Sequence, residues 1–245
     1  MKRSIFFFEK KAWDMGLKFI AGCDEVGRGS FAGPVAAGCV VFNREVVEKY
    51  EKDRVKCLGR LKQVIINDSK ILSQLQRERA NYWIMSNAVS YGIGKGSVKL
   101  INKKGIVKAA NFAFRSAVKA AQNNMNARIQ YLFIDGFYVP YMRCYRIPLK
   151  NNRKFIKLSK GLVNQLAIPK GDAKSFSIAA ASIVAKVYRD NLMRDLAGKK
   201  KYICYGWESN KGYGTKMHRD AIKSYGTTKL HREKFVRFCF SIRNK

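Results

Sequence analysis

Apolar residues fall in short runs along the chain, and the period of those runs changes from segment to segment. Between residues 18 and 42, "KFIAGCDEVGRGSFAGPVAAGCVVF" contains two runs rich in Val, Ile and small residues, split by the glycine-rich "GRGSFAG". Such runs on either side of a turn former predict two strands. "LSQLQRERANYWIMSNAVSYG" opens on Ser73 and Gln76, an S-x-x-Q capping box, and predicts a helix to about Ser90. "YGIGKGSV" then reads as a short strand. Ile106, Ala110, Ala113, Ala117 and Ala121 recur every three or four residues, the spacing of an amphipathic helix. "IQYLFIDG" is an apolar strand ending in Asp135. Strand, helix, strand in that order suggests parallel pairing and an α/β sheet. Residues 141–162 are basic and weakly periodic, which fits a loop or an added hairpin. "AKSFSIAAASIVAKVYRDNLM" predicts a strong helix with Ser175 or Ser177 near its N-cap. From about Ser209 onward the pattern is basic, with helical pieces. No internal repeat or low-complexity linker divides the chain.

Composition sharpens this picture. The 245 residues include 49 Lys and Arg against 17 Asp and Glu, a formal net charge of +32. Such a field draws polyanions, which favours a nucleic-acid or membrane-surface partner, although a basic surface alone also produces it. The six cysteines lack C-x-x-C spacing and nearby histidines, which argues against zinc. The apolar run in "MKRSIFFFEKK" is too short for a secretory signal, and no stretch is long enough to span a membrane. A reduced, cytoplasmic setting is the expectation.

Acidic residues are few, and some stand in apolar surroundings. Asp24 and Glu25 are adjacent inside the first strand, where side chains alternate between faces. Both reach one site only where the strand twists, bulges or ends. Asp135 closes "YLFID", at the strand end where ligands gather in α/β sheets. Asp172 lies in "IPKGDAK", ahead of a helix, with Asp190 as a further carboxylate. None of the first four has a basic residue at pair spacing on a surface helix, and unpaired buried carboxylates are costly. A divalent cation resolves this, since Mg²⁺ takes oxygen ligands. The plain alternatives are a turn cap for Asp24, an Asx turn for Asp135 and a helix N-terminal charge for Asp172. A basic protein with an acidic centre suits phosphodiester chemistry. "GRGSFAG" leads into Pro34 and a strand, not a helix, so it is a poor dinucleotide loop. His218 and His231, the two histidines, have no recognisable nucleophile–base setting.

At this point the motifs resemble a known family. "FEKKAWDMGLKFIAGCDEVGRGSFAGPVAAGCVVF" is similar to the opening of type 2 ribonucleases H (ribonuclease HII), with their D-E-x-G-R-G signature. "NDSKILS", "FIDG", "IPKGDAKSFSIAAASIVAKVYRD", "NKGYGTKMH" and "LHREKF" follow in the family's order. The sister type 3 enzymes lack the Arg that stands here as Arg28. The resemblance implies the α/β class and a ribonuclease H-like fold, a mixed five-stranded sheet flanked by helices with a helical C-terminal part. Residues 1–208 would form the catalytic domain, and the basic segment 209–245 would complete the substrate site. It implies a monomer that cleaves RNA in RNA–DNA hybrids and at single ribonucleotides in duplex DNA, leaving 3′-hydroxyl and 5′-phosphate ends. A replication or repair partner is not identifiable from it. Asp24, Glu25, Asp135 and Asp172 match the family's catalytic carboxylates, which hold Mg²⁺ or Mn²⁺ in a two-metal site. Gly27, Arg28 and Gly29 match the segment that reads the 2′-hydroxyl, and Tyr213 the ring that packs on the neighbouring deoxyribose. Ser69, Lys70 and Ser182 are candidates for holding a backbone phosphate, with a turn and a helix-packing serine as the alternative. Two departures stand out: Phe137 where Asn is common, and a long basic stretch between Asp135 and Asp172.

A non-enzymatic RNA-binding protein would also explain the charge, though not the carboxylates. A resolvase- or transposase-like nuclease would use similar carboxylates on plain DNA.

Overall fold

The first two apolar runs form β1 (Ile20–Val26) and β2 (Val35–Phe42), antiparallel with Cys23 opposite Cys39. They follow an N-terminal helix, α1 (Phe7–Asp14). These coordinates are a computed structural model that describes residues 4–56, 64–142 and 164–240. After β2 comes α2 (Arg44–Lys56), whose polar sequence buries Val47 and Tyr50. Next is α3 (Gln74–Asn87), opened by the expected capping box: Ser73 accepts from the Gln76 N–H, and Gln76 Oε1 accepts from the Ser73 N–H at 2.8 Å. The helix stops short of Ser90 because the Val89 N–H bonds Val41 O at 2.9 Å and β3 (Ser90–Gly96) begins there.

A short α4 (Val98–Lys104), the amphipathic α5 (Ile106–Met125) and β4 (Tyr131–Asp135) follow. Then come β5 (Asn164–Ile168) and the long α6 (Phe176–Ala197), with Ser175 as its N-cap. The sheet order is β3-β2-β1-β4-β5. A parallel pair is present, but β4 lies beside β1 rather than beside β3, because the chain crosses the sheet through α5. β5 extends the parallel side. The basic stretch expected to form a loop or hairpin lies, from residue 143 on, outside the described residues.

Helices cover both faces. α6, α3, α2 and α1 share one apolar cluster with Ile20, Val40 and Phe133, while α5 shares the other with Ala21, Cys23 and Leu132. Two strand glycines set how closely the layers approach. A Cβ at Gly22 would sit 2.0 Å from the Ser177 carbonyl carbon, and one at Gly94 would sit 2.0 Å from Ala113 O. Backbone therefore packs on backbone at both places.

Beyond α6, α7 (Trp207–Asn210), α8 (Lys216–Tyr225) and α9 (Glu233–Val236) gather around Trp207, Tyr202, Tyr205 and Ile222. Met193 of α6 and Ala32 of the β1–β2 turn join that cluster, so the C-terminal segment closes over the turn. Among the described residues, no helix is long and apolar enough to cross a membrane.

Candidate active site

Strand register brings the first two carboxylates together. Cys23 pairs with Ile134 across parallel β1 and β4, so the following residues, Asp24 and Asp135, end up side by side. Alternation turns both toward α6, the face that Gly22 and Phe133 also use. Asp172 arrives from a 3₁₀ turn, Gly171–Ala173, just past β5. One carboxylate oxygen from each of Asp24, Asp135 and Asp172 lies within 4.8 Å of the other two. The Gly171 N–H holds Asp135 Oδ1 at 2.6 Å, fastening the turn to the strand end. Glu25 does not join this group. It points to the opposite face and meets Arg28 at 3.5 Å. Asp190 is also elsewhere, paired with Lys186 at 2.8 Å.

Burial, then the charges of Glu25 and Asp135, raise the pKa of Asp24 well above its usual value, against a hydrogen bond from Ser182. Burial also raises Glu25, with Arg28 opposing it and Asp135 adding to the rise. Asp135 is raised by burial, with the Gly171 N–H opposing and Asp172 adding. Lys70 donates to Asp172 Oδ2 at 2.9 Å. Burial works against this ammonium, but its bond to Asp172 and the nearby acids hold its pKa above the ordinary lysine value. The expectation of unpaired acids is thus corrected at two positions, Glu25 and Asp172. The cluster still gathers more negative charge than Lys70 neutralises. Three hard oxygen donors in that state fit Mg²⁺ or Mn²⁺.

The pH consequence follows in sign. These carboxyls bind protons more tightly folded than unfolded, so the metal-free protein loses stability as pH rises from about 4 through the folded values. A cation bound to the ionised cluster offsets that loss. The rise in Tm on adding Mn²⁺ is therefore expected to be larger near pH 8 than near pH 5, measured by thermal melts. Equal shifts at both would argue against a shared cation site.

Ser69 and Ser182, candidates for a phosphate, are buried and bonded to each other at 2.9 Å, with Ser182 also reaching Asp24. In this structure the two hydroxyls orient a carboxylate. Lys70 is the exposed member of the phosphate trio, held over Asp172. Gly27 takes a left-handed φ of +84°, and the Ser30 N–H closes a turn on Gly27 O, leaving Arg28 and Gly29 exposed. Arg28 lies over the Phe137 ring, 5.1 Å from its centroid, so Phe137 packs against the loop after β1.

Tyr213 is half-buried, with Lys186 and Arg189 at 5.8 and 5.4 Å from its ring centroid. Beneath it the two histidines form a buried chain. Tyr213 O can only accept, so His218 Nδ1 carries the proton in their 2.9 Å contact. His218 Nε2 then accepts from Trp207 Nε1 at 3.0 Å and from His231 Nε2 at 3.2 Å, while His231 Nδ1 accepts from the Thr228 N–H. Burial lowers both pKa values, that of His231 to about 4, so this support is neutral at physiological pH.

Glu9 is a buried acid outside the predicted site. It is fully buried, and its Oε1 accepts from the Ser175 hydroxyl (2.5 Å), the Ser177 N–H (2.9 Å) and the Ser177 hydroxyl (2.7 Å). A carboxylate from α1 thus caps α6, just beyond the turn that carries Asp172. The available signal was an acid inside "IFFFEKKAW", the same anomaly that marks Asp24 and Glu25.

Comparison with known proteins agrees with this geometry. The family model for ribonuclease HII matches residues 21–242. Ribonuclease HII of Caldanaerobacter subterraneus subsp. tengcongensis is 40% identical over 230 residues, 94% of this chain and 79% of that protein. Among solved structures, ribonuclease H2 from Pyrococcus horikoshii superposes with a TM-score of 0.62 over 90% of this chain and 96% of that one, at 22% identity. A Bst-RNase HIII structure in complex with Mn²⁺ gives a TM-score of 0.60 at 19% identity, over 93% of this chain and 71% of that one. These two show a shared fold.

Proposed function

The chain belongs to the ribonuclease HII family and is a type 2 ribonuclease H, and from that premise we propose a metal-dependent endonuclease that cuts both RNA–DNA hybrids and single ribonucleotides embedded in duplex DNA. The products are a 3′-hydroxyl and a 5′-phosphate. The observation that carries this reading is the convergence of Asp24, Asp135 and Asp172 within 4.8 Å at the end of the sheet.

Asp24, Asp135 and Asp172 would hold Mg²⁺ or Mn²⁺, with Glu25 acting from outside the cluster through its charge on Asp24. Bound there, the divalent ions supply Lewis acidity to phosphate oxygens and a water more acidic than bulk water. The protein's part is to fix the donors. The Gly171 N–H immobilises one oxygen of Asp135, Ser182 orients Asp24, and Lys70 sits where it can pass from Asp172 to an incoming phosphate. Gly29 lets main chain approach a ribose closely, with Gly27 supplying the left-handed turn before it, and the 2′-hydroxyl is the group that separates RNA from DNA. Arg28 flanks that approach as a phosphate contact. Tyr213 offers a ring to the adjacent deoxyribose.

One assay tests the reading: a duplex with a single internal ribonucleotide beside an all-DNA control, with and without Mn²⁺. Cutting confined to the ribonucleotide and dependent on metal is expected. Cutting of both duplexes would point to a DNA nuclease, and binding without cutting to a non-enzymatic RNA-binding protein. Tyr213→Ala is expected to lower single-ribonucleotide incision by about 10- to 100-fold, the scale of a lost aromatic stacking contact. Unchanged incision would remove the role given to the ring.

A further inference from the structure

Two arginines lie fully buried beneath the loop that follows β1, and both donate to main-chain carbonyls, with Arg232 Nη2 left without a partner among the described residues. Arg189, on α6, donates through Nε to Pro34 O (3.0 Å), through Nη2 to Ala32 O (3.1 Å) and through Nη1 to Lys211 O (2.9 Å). Arg232 donates through Nε to Gly33 O (2.9 Å) and through Nη1 to Arg28 O (2.8 Å). Its own N–H bonds Phe31 O at 2.7 Å. The carbonyls of Arg28, Phe31, Ala32, Gly33 and Pro34 are therefore all drawn downward. Gly27 rests directly on this layer: a Cβ there would lie 2.0 Å from Arg189 Nε.

Burying two guanidinium groups beside each other is expensive, and a helix-packing role would be met more cheaply by apolar side chains. Geometry supplies the reason for keeping them. In a trans peptide the C=O and the following N–H point in opposite directions. Pulling Arg28 O down onto Arg232 turns the Gly29 N–H up and outward. Gly29 is exposed, and its N–H has no main-chain partner among the described residues.

We propose that Arg232, with Arg189 beside it, is a positioning residue for ribonucleotide discrimination, fixing the Arg28–Gly29 peptide so that the Gly29 N–H faces the ribose. This rests on the reading of the 27–29 segment as the part that meets the 2′-hydroxyl. Arginine is required because its planar fork spans Gly33 O and Arg28 O together, whereas a lysine reaches one of them. The same fork ties the C-terminal segment to the loop.

The test compares wild type, Arg232→Lys and Arg189→Lys in the full chain on a single-ribonucleotide duplex and its 2′-deoxy control. Arg232→Lys is expected to lose about 10²-fold in kcat, the scale of an ångström-sized misplacement, with KM changed little. Mn²⁺ affinity, read by calorimetric titration without substrate, is expected to stay within about twofold, a readout that general damage to the fold would move. A folded Arg232→Lys protein that cuts at the wild-type rate would overturn the proposal. So would a loss matched by an equal loss of Mn²⁺ affinity. Should Arg232→Lys fail to fold, Arg232→Gln, which donates to only one of Gly33 O and Arg28 O, carries the same comparison with the same two outcomes; Arg189→Lys, which leaves both Arg232 bonds in place, is expected to lose less than Arg232→Lys. A wild type that cuts the 2′-deoxy control equally well would sink the ribose-reading loop itself. Discrimination by the wild type with no change in either folded variant would sink only the inference about the arginines.

Discussion

Asp135→Asn is expected to lower cleavage of an RNA–DNA hybrid by on the order of 10³-fold or more while leaving hybrid binding nearly intact. The amide has the shape of the carboxylate and still offers an oxygen to the Gly171 N–H, so the turn carrying Asp172 stays in place. What disappears is one negative charge from the centre. That charge raises the pKa of both Asp24 and Glu25. Its removal relieves repulsion in the metal-free protein, whose Tm at neutral pH is expected to hold or rise slightly. Loss of turnover with retained or higher stability is the signature of a functional charge, as opposed to a structural one. Single-turnover cleavage, filter binding and thermal melts together read all three quantities. An active Asp135→Asn protein would contradict the assignment.

Gly22→Ala is expected to cost about 3 kcal/mol or more, at or beyond the upper end of ordinary overpacking. The added Cβ would sit 2.0 Å from the Ser177 carbonyl carbon, and its next neighbours, Ile178 N and Ser177 O, are also main chain. Main chain does not step aside as a side-chain tip does. Ser177 is held besides by Glu9 through both its N–H and its hydroxyl. For a domain of this size the drop in Tm is roughly 10 °C, readable by calorimetry. Gly29→Ala is the control. A Cβ there meets nothing within 4 Å, so fold stability should be untouched and any effect should fall on substrate selection. Equal melting temperatures for the two variants would refute the contrast.

Local pattern carried the elements whose side chains segregate cleanly. The β1–β2 hairpin, the capped α3 and the Ala-rich α5 and α6 were all legible. α1 and α2 were not. α1 hides its key residue, Glu9, among aromatics, and α2 is a polar helix whose stability comes from docking Val47 and Tyr50. β5 escaped because a short edge strand, half-exposed along most of its length, has little reason to look apolar. In the site, carboxylates stood out because acids are scarce and sat in apolar runs. Alternation sends Asp24 and Glu25 to opposite faces, so the expectation that both meet in one metal site holds for Asp24 alone in this geometry, and no local signal announces that Asp24 lies beside Asp135, since that depends on β4 crossing to β1. Arg189 and Arg232 were invisible for a related reason. In a chain with 49 basic residues, two of them look like surface until the fold buries them.

The bond from Arg232 to Arg28 O spans 204 positions. A polypeptide still emerging from the ribosome therefore contains Asp24, Asp135 and Asp172 well before it gains the arginine beneath the loop after β1. A chain that stops ahead of residue 232 lacks the guanidinium that bonds Gly33 O and Arg28 O. Anchoring of the loop after β1 therefore waits on completion of the chain, not on the acids.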